Sequence, residues 1–163
     1  MVLALVLGVC SGGAHTEGTG CAAFAWPIDA DKAAFADASL ASVTSGTARG
    51  AWKPHAFSLK LQPVASVSFA VRPGGRKPAA DNGGLVTFEA PPSPGTYQVT
   101  LSDGGWIDLV QNGASLKSSA HTGAKGCDGV RKSVRFEVGN APVALQLSGV
   151  KGQDVKVAIS LVK

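Results

Sequence analysis

From residue 57 the chain alternates apolar and polar positions with a period of two. Phe57, Leu59 and Leu61 alternate with Ser58 and Lys60, and Val67, Phe69 and Val71 alternate with Ser68 and Ala70. That is the period of strands with one face in a core. The stretch from Arg72 to Gly84 is rich in Pro, Gly and small polar residues and predicts a long surface loop. Seven short strands then follow with turn chemistry between them. Val86, Phe88 and Ala90 lead through Pro94-Gly95 to Tyr97, Val99 and Leu101, whose neighbours Gln98 and Thr100 are expected to face water. After Asp103-Gly104-Gly105, the segments Trp106 to Gln111 and Ala114 to Ser118 flank Asn112-Gly113, the pair that best accepts the two positive φ angles of a type I′ turn. Val134, Phe136 and Val138 oppose Arg135 and Glu137. Val143, Leu145 and Leu147 form the next strand, and Val155, Val157, Ile159 and Leu161 the last. Eight or nine such strands predict an all-β fold, an antiparallel β-sandwich, because one open sheet of that size would leave an apolar face in water. One short N-terminal helix is expected from Asp29 to Ala38, entered after Pro27 and capped by Asp29 or Asp31.

The first nine residues carry no charge and precede the small-residue run Ser11-Gly12-Gly13-Ala14. This reads as a signal-peptide h-region with cleavage after Ala14. The stretch is too short to span a bilayer of about 30 Å, so no transmembrane span is expected. A lipoprotein site at Cys10 is the rival reading, although Val9 stands where such sites prefer a small residue. The expected organisation is therefore a leader over 1–14, an N-terminal segment with the helix over 15–56, and a sandwich core over 57–163, all within one domain. Removal of Cys10 leaves Cys21 and Cys127, which in a periplasmic or secreted protein predict one disulfide.

Apolar residues make up 45% of the chain and charged residues 16%, a composition that folds rather than stays disordered. The net charge of +4 suits anionic partners but also serves solubility, and no feature specifies nucleic acid.

The run Gly84-Leu-Val-Thr-Phe-Glu-Ala, then Pro94-Gly-Thr-Tyr-Gln-Val-Thr-Leu-Ser, then Gly105-Trp-Ile-Asp-Leu-Val resembles the bacterial pre-peptidase C-terminal type of β-sandwich. The likeness continues through Val134-Arg-Phe-Glu-Val and Leu145-Gln-Leu-Ser-Gly. It implies a jelly-roll-like, non-catalytic accessory domain of secreted proteins. Only Asp108-Leu109 stands where many members carry two acidic residues before the Leu, so the resemblance implies no calcium site here. The beginning Cys21-Ala-Ala-Phe24-Ala-Trp26-Pro27 is similar to that of small exported bacterial proteins.

Catalytic signatures are sparse. His15, His55 and His121 lie far apart and have no partner at metal-ligand spacing, no Gly-x-Ser-x-Gly elbow occurs, and carboxylates are few. No catalytic residue, cofactor or transition metal is assigned. Asp81, Asn82 and Asp103 are calcium candidates, but each stretch has too few oxygens for the six to eight that calcium takes, and Asp, Asn and Gly are also what turns need. Trp106 and Asp108 share a strand face opposite Ile107 and Leu109, as in sugar-binding surfaces where a ring stacks on a pyranose and an acid holds hydroxyls; packing under the N-terminal segment or the long loop is the competing role. Arg131 and Arg135, on one face by alternation and near Lys117, Lys125 and Lys132, could grip an anionic polymer or serve as a solvated edge. The leading expectation is a non-catalytic binding module recognising a glycan or another exported protein. The alternatives are a structural protein that self-associates through a face bearing Trp106 and Val110, and a small secreted hydrolase using His121 or His55. Oligomeric state is left open.

Overall fold

The computed structural model describes residues 19–75 and 81–163. The expected leader, the Cys10 alternative and His15 lie outside them. Twelve strands among the described residues form two sheets. The first contains β1 (Ser42–Thr44), β3 (His55–Lys60), β12 (Asp154–Leu161), β6 (Gly95–Leu101), β10 (Lys132–Val138) and β9 (Ser118–Gly123), in that spatial order. The second runs β2 (Ala48–Ala51), β5 (Asn82–Glu89), β11 (Val143–Val150), β7 (Trp106–Gln111) and β8 (Ala114–Ser115), with the short β4 (Gln62–Pro63) also paired to β5.

The alternating residues define the space between the sheets. Phe57, Leu59, Val99, Leu101, Val134, Phe136, Val157 and Ile159 of the first sheet join Val86, Phe88, Ile107, Leu109, Val143, Leu145 and Leu147 of the second in one buried cluster. Trp52, between β2 and β3, is fully buried there, with its ring edge-on to Phe88 and Tyr97 at 5.1 and 6.1 Å between centroids. The Asn112-Gly113 turn has both expected positive φ angles, 51° and 76°, and pairs Val110 with Ser115 and Gln111 with Ala114.

Several expectations change. Residues before 57 supply strands to the sandwich: β1 adds in parallel to β3, and β2 in parallel to β5. The exposed edge strand β9 has no apolar alternation and was unforeseen. Strand β8 stops at Ser115, and β5 already begins at Asn82, inside the expected loop. Val67, Phe69 and Val71 are half-buried while Ser68 and Ala70 are exposed, so the alternation is real, yet no ladder forms. Gln146 of β11 instead engages this segment, its Oε1 accepting the N–H groups of Ala70 and Val71 at 2.6 and 3.0 Å and its Nε2 donating to the Val71 carbonyl at 3.1 Å.

Helix α1 (Asp29–Ala36) lies against the outer face of the first sheet. It stops two residues earlier than expected, where Asp37 Oδ1 accepts from both the N–H and the hydroxyl of Ser39. Neither Asp29 nor Asp31 is the cap; that position is Ile28. Asp31 points into the sheet and is only 4% exposed. Its Oδ2 accepts from Gln98 Nε2 at 3.0 Å and Thr100 Oγ1 at 2.5 Å, and its Oδ1 accepts from Ser160 Oγ at 2.9 Å. Gln98 and Thr100, expected in water, are therefore buried beneath the helix. A buried carboxylate is tolerated only with such donors.

A second apolar cluster surrounds this network: Phe24, Ile28, Phe35, Val130 and Ala158, with Cys21, Trp26 and Ala56 packed alongside. The Cys21–Cys127 disulfide, with Cα atoms 4.4 Å apart, staples this layer to the loop after β9, and Gly20 N donates to the Lys125 carbonyl at 2.7 Å. Trp26 Nε1 donates to Ser133 Oγ at 3.1 Å, and the Arg135 guanidinium lies 4.0 Å from the Trp26 ring centroid.

Two outcomes follow. Cys127→Ser lowers unfolding free energy by up to about 4–5 kcal/mol for a bridge spanning 106 residues, read by denaturant titration. Asp31→Ala leaves three donors without their acceptor and costs about 1–3 kcal/mol or more by the same measurement.

Candidate functional site

Trp106 opens β7 and pairs with Ser148 of β11. It is 43% exposed, yet it is held on several sides. Its Nε1 donates to Asp108 Oδ1 at 2.9 Å, and Asp108 Oδ2 accepts from Gly74 N at 3.0 Å. Gly74 and Gly75 run along the indole: a Cβ at Gly74 would come within 2.8 Å of Trp106 Nε1, and one at Gly75 within 3.0 Å of Trp106 Cβ. A side chain at Gly74 would thus displace the indole, and one at Gly75 would crowd it. The long loop, and not the N-terminal segment, packs against Trp106. Asp108 is 7% exposed with both oxygens engaged, so it orients the indole and does not stand open beside it. Val110 is buried, so of the Trp106 and Val110 pair only the indole is at the surface.

A cleft of about 310 Å³ lies beside Trp106, lined by Gly104, Gly105, His121, Thr122, Gly123, Arg131 and Lys132. It forms where the start of β7 in one sheet meets β9 and β10 of the other. Lys132 crosses this end of the sandwich. Its Nζ donates to the Gly105 carbonyl at 2.9 Å and lies 5.1 Å from the centroid of the Trp106 ring, a cation–π arrangement. Burial holds the Lys132 pKa below the usual lysine value; Arg131 adds to the lowering and Asp108 opposes it.

The two arginines expected together are divided between two surroundings. Arg131 lines the cleft, whereas Arg135 stacks on Trp26, donates from Nε to Gln98 Oε1 at 3.2 Å and borders a separate hollow with Asp31 and Ser160. The calcium candidates serve turns. Asn82 Nδ2 donates to the Gly152 carbonyl at 2.9 Å, Asp103 Oδ1 accepts from Gly104 N at 2.6 Å, and Asp81 precedes β5, its carbonyl accepting from Val64 N. No group of three or more His, Cys, Asp or Glu among the described residues is placed to hold a metal ion, and no described helix is long and apolar enough to cross a membrane. No protein-family model, curated protein or solved structure matches this chain.

Of the histidines, His121 is exposed in the cleft, whose lining contains neither serine nor carboxylate. His55 Nδ1 contacts the Lys53 carbonyl at 2.6 Å, and its ring stacks on Phe57. Lys132, His121 and Gly104-Gly105 were not predicted as parts of one site, because the pairing of β9 with β10 that assembles them has no apolar periodicity to announce it.

Burial lowers the His55 pKa from the ordinary 6.5, partly offset by the bond to Lys53, with Arg49 and Lys53 charges adding to the lowering. The folded state then binds fewer protons than the unfolded state between the lowered value and 6.5. Stability at His55 is full above that window and falls as pH drops through it. The wild type is expected to lose stability relative to His55→Gln on acidification from about pH 7.5 to about pH 5 in paired urea titrations; a relative gain would contradict this sign.

Proposed function

We propose that this protein is a non-catalytic, exported accessory module of the bacterial envelope, of the jelly-roll-like kind, that binds a glycan at the Trp106 end of its sandwich. The carrying observation is a large aromatic ring, partly exposed, under the ammonium of Lys132, a residue that also lines a polar cleft. Asp108 and the Gly74-Gly75 backbone fix the ring in place, so little freedom is lost when a sugar ring stacks on it. The cleft supplies donors beside the ring from Lys132, Arg131, Thr122 and His121. Aromatic anchors with one wet side suit recognition surfaces. Export is supported by the Cys21–Cys127 bridge, a feature of oxidising compartments.

A glycan array followed by titration calorimetry tests this reading. Binding to at least one oligosaccharide class is expected, weakened about tenfold or more by Trp106→Ala with the circular dichroism spectrum unchanged. A protein that binds nothing on the array, or binds equally well without Trp106, contradicts it.

A further inference from the structure

We propose that the glycan is acidic: a chain bearing carboxylates, with one sugar ring against Trp106 and a neighbouring carboxylate held between Lys132 and Arg131. The inference rests on the glycan reading above and names the chemical class of its ligand.

The charge of the cleft carries the argument. Its seven lining residues include Arg131, Lys132 and His121 and no acid. Asp108, whose charge partly offsets the lowering of the Lys132 pKa, and Asp103 both make other hydrogen bonds. Asp108 is 7% exposed and gives its oxygens to Trp106 Nε1 and Gly74 N, and Asp103 turns Oδ1 back onto Gly104 N. Neither is bonded to the Lys132 ammonium, whose hydrogen bond goes to a neutral carbonyl, that of Gly105. An ammonium has three donors, so Lys132 retains N–H groups for a ligand.

Lys132 is half-buried, with Arg131 as its immediate chain neighbour. A cation placed there has lost part of its hydration and meets a like charge, which is the cause of its lowered pKa. An anion entering the cleft would offset both effects, whereas a neutral hydroxyl would replace only part of the lost hydration and leave the like-charge repulsion unbalanced. A carboxylate also accepts two parallel bonds from a guanidinium, a geometry that Arg131 can supply. The Lys132 Nζ lies over the Trp106 ring, 5.1 Å from its centroid, so a carboxylate that pairs with Lys132 brings the sugar bearing it up to the indole, a contact that an isolated anion would not use.

The test compares three probes of similar length on the full chain: an oligogalacturonate with a carboxylate on every ring, a neutral cello-oligosaccharide, and a single-stranded oligothymidylate. Titration calorimetry is run at about 50 mM and about 200 mM salt, a rise that shortens the screening length and so weakens charge–charge attraction. The oligogalacturonate is expected to bind at least about tenfold more tightly than either other probe, the difference of one charge-assisted contact. Added salt should weaken it severalfold. Arg131→Gln should reduce oligogalacturonate binding about tenfold and leave any neutral-sugar binding unchanged, while Trp106→Ala weakens both. Equal affinity for acidic and neutral sugars, with no effect of Arg131→Gln, overturns the acidic assignment and leaves the glycan reading standing. Oligothymidylate binding as tightly as oligogalacturonate also overturns it, since charge alone would then suffice. Failure of both sugars at either salt concentration overturns the glycan reading and this inference together.

Discussion

A polar group taken out of water must find a partner inside the protein, and the outer faces of this sandwich are organised around that requirement. Apolar alternation explains how the two sheets face each other, but not what covers their backs. On the first sheet, Asp31 receives Gln98, Thr100 and Ser160, and Thr100 also shares a hydrogen bond with Ser133, which receives Trp26. That network locates α1, and the apolar residues Phe24, Ile28 and Phe35 close around it. The disulfide then ties the N-terminal layer to the far side of the same sheet.

The second sheet meets the same requirement in large part with a loop instead of a helix; Ser148 Oγ beneath that loop and Trp52 Nε1 in the core are the buried side-chain atoms left without a partner among the described residues. Gln146 binds the backbone of residues 70 and 71, and Asp108 receives Gly74. Strand side chains here replace the ladder that an additional strand would have supplied. One consequence bears on function: Gly74 and Gly75 lie against the indole, which is partly exposed near the basic cleft. The exposed ring is thus a product of how the sheet's polar residues are paired, and its position is fixed by Asp108.

The inward-facing half of this arrangement was legible in the sequence. Period-two runs such as Val134, Phe136 and Val138 identified their strands, and Asn112-Gly113 identified its turn, because both signals are local. The Cys21 and Cys127 pairing followed from counting. The outer faces were not legible, since Gln98, Thr100, Asp108 and Gln146 look like solvent-facing polar residues until the segments that bind them are placed. Asp31 looked like a helix cap for the same reason. Strands β1, β2 and β9 escaped notice because they are short, lie at sheet edges and present little apolar periodicity. Trp106 with Asp108, and Arg131 with Arg135, were singled out as two separate pairs; Arg131 lies instead with Lys132, whose ammonium sits over Trp106, while Arg135 stacks on Trp26, and the contribution of Lys132 depends on a crossing between sheets that no sequence spacing encodes.

Native-state hydrogen exchange followed by NMR at the backbone amides of Ala70, Val71 and Gly74 tests this account most directly. If side chains of the second sheet hold the loop and through it the indole, these amides exchange slowly although they lie outside any strand; Gln146→Ala then releases Ala70 and Val71, and Asp108→Ala releases Gly74. Exchange of all three at the rate of an open loop in the wild-type protein would contradict it.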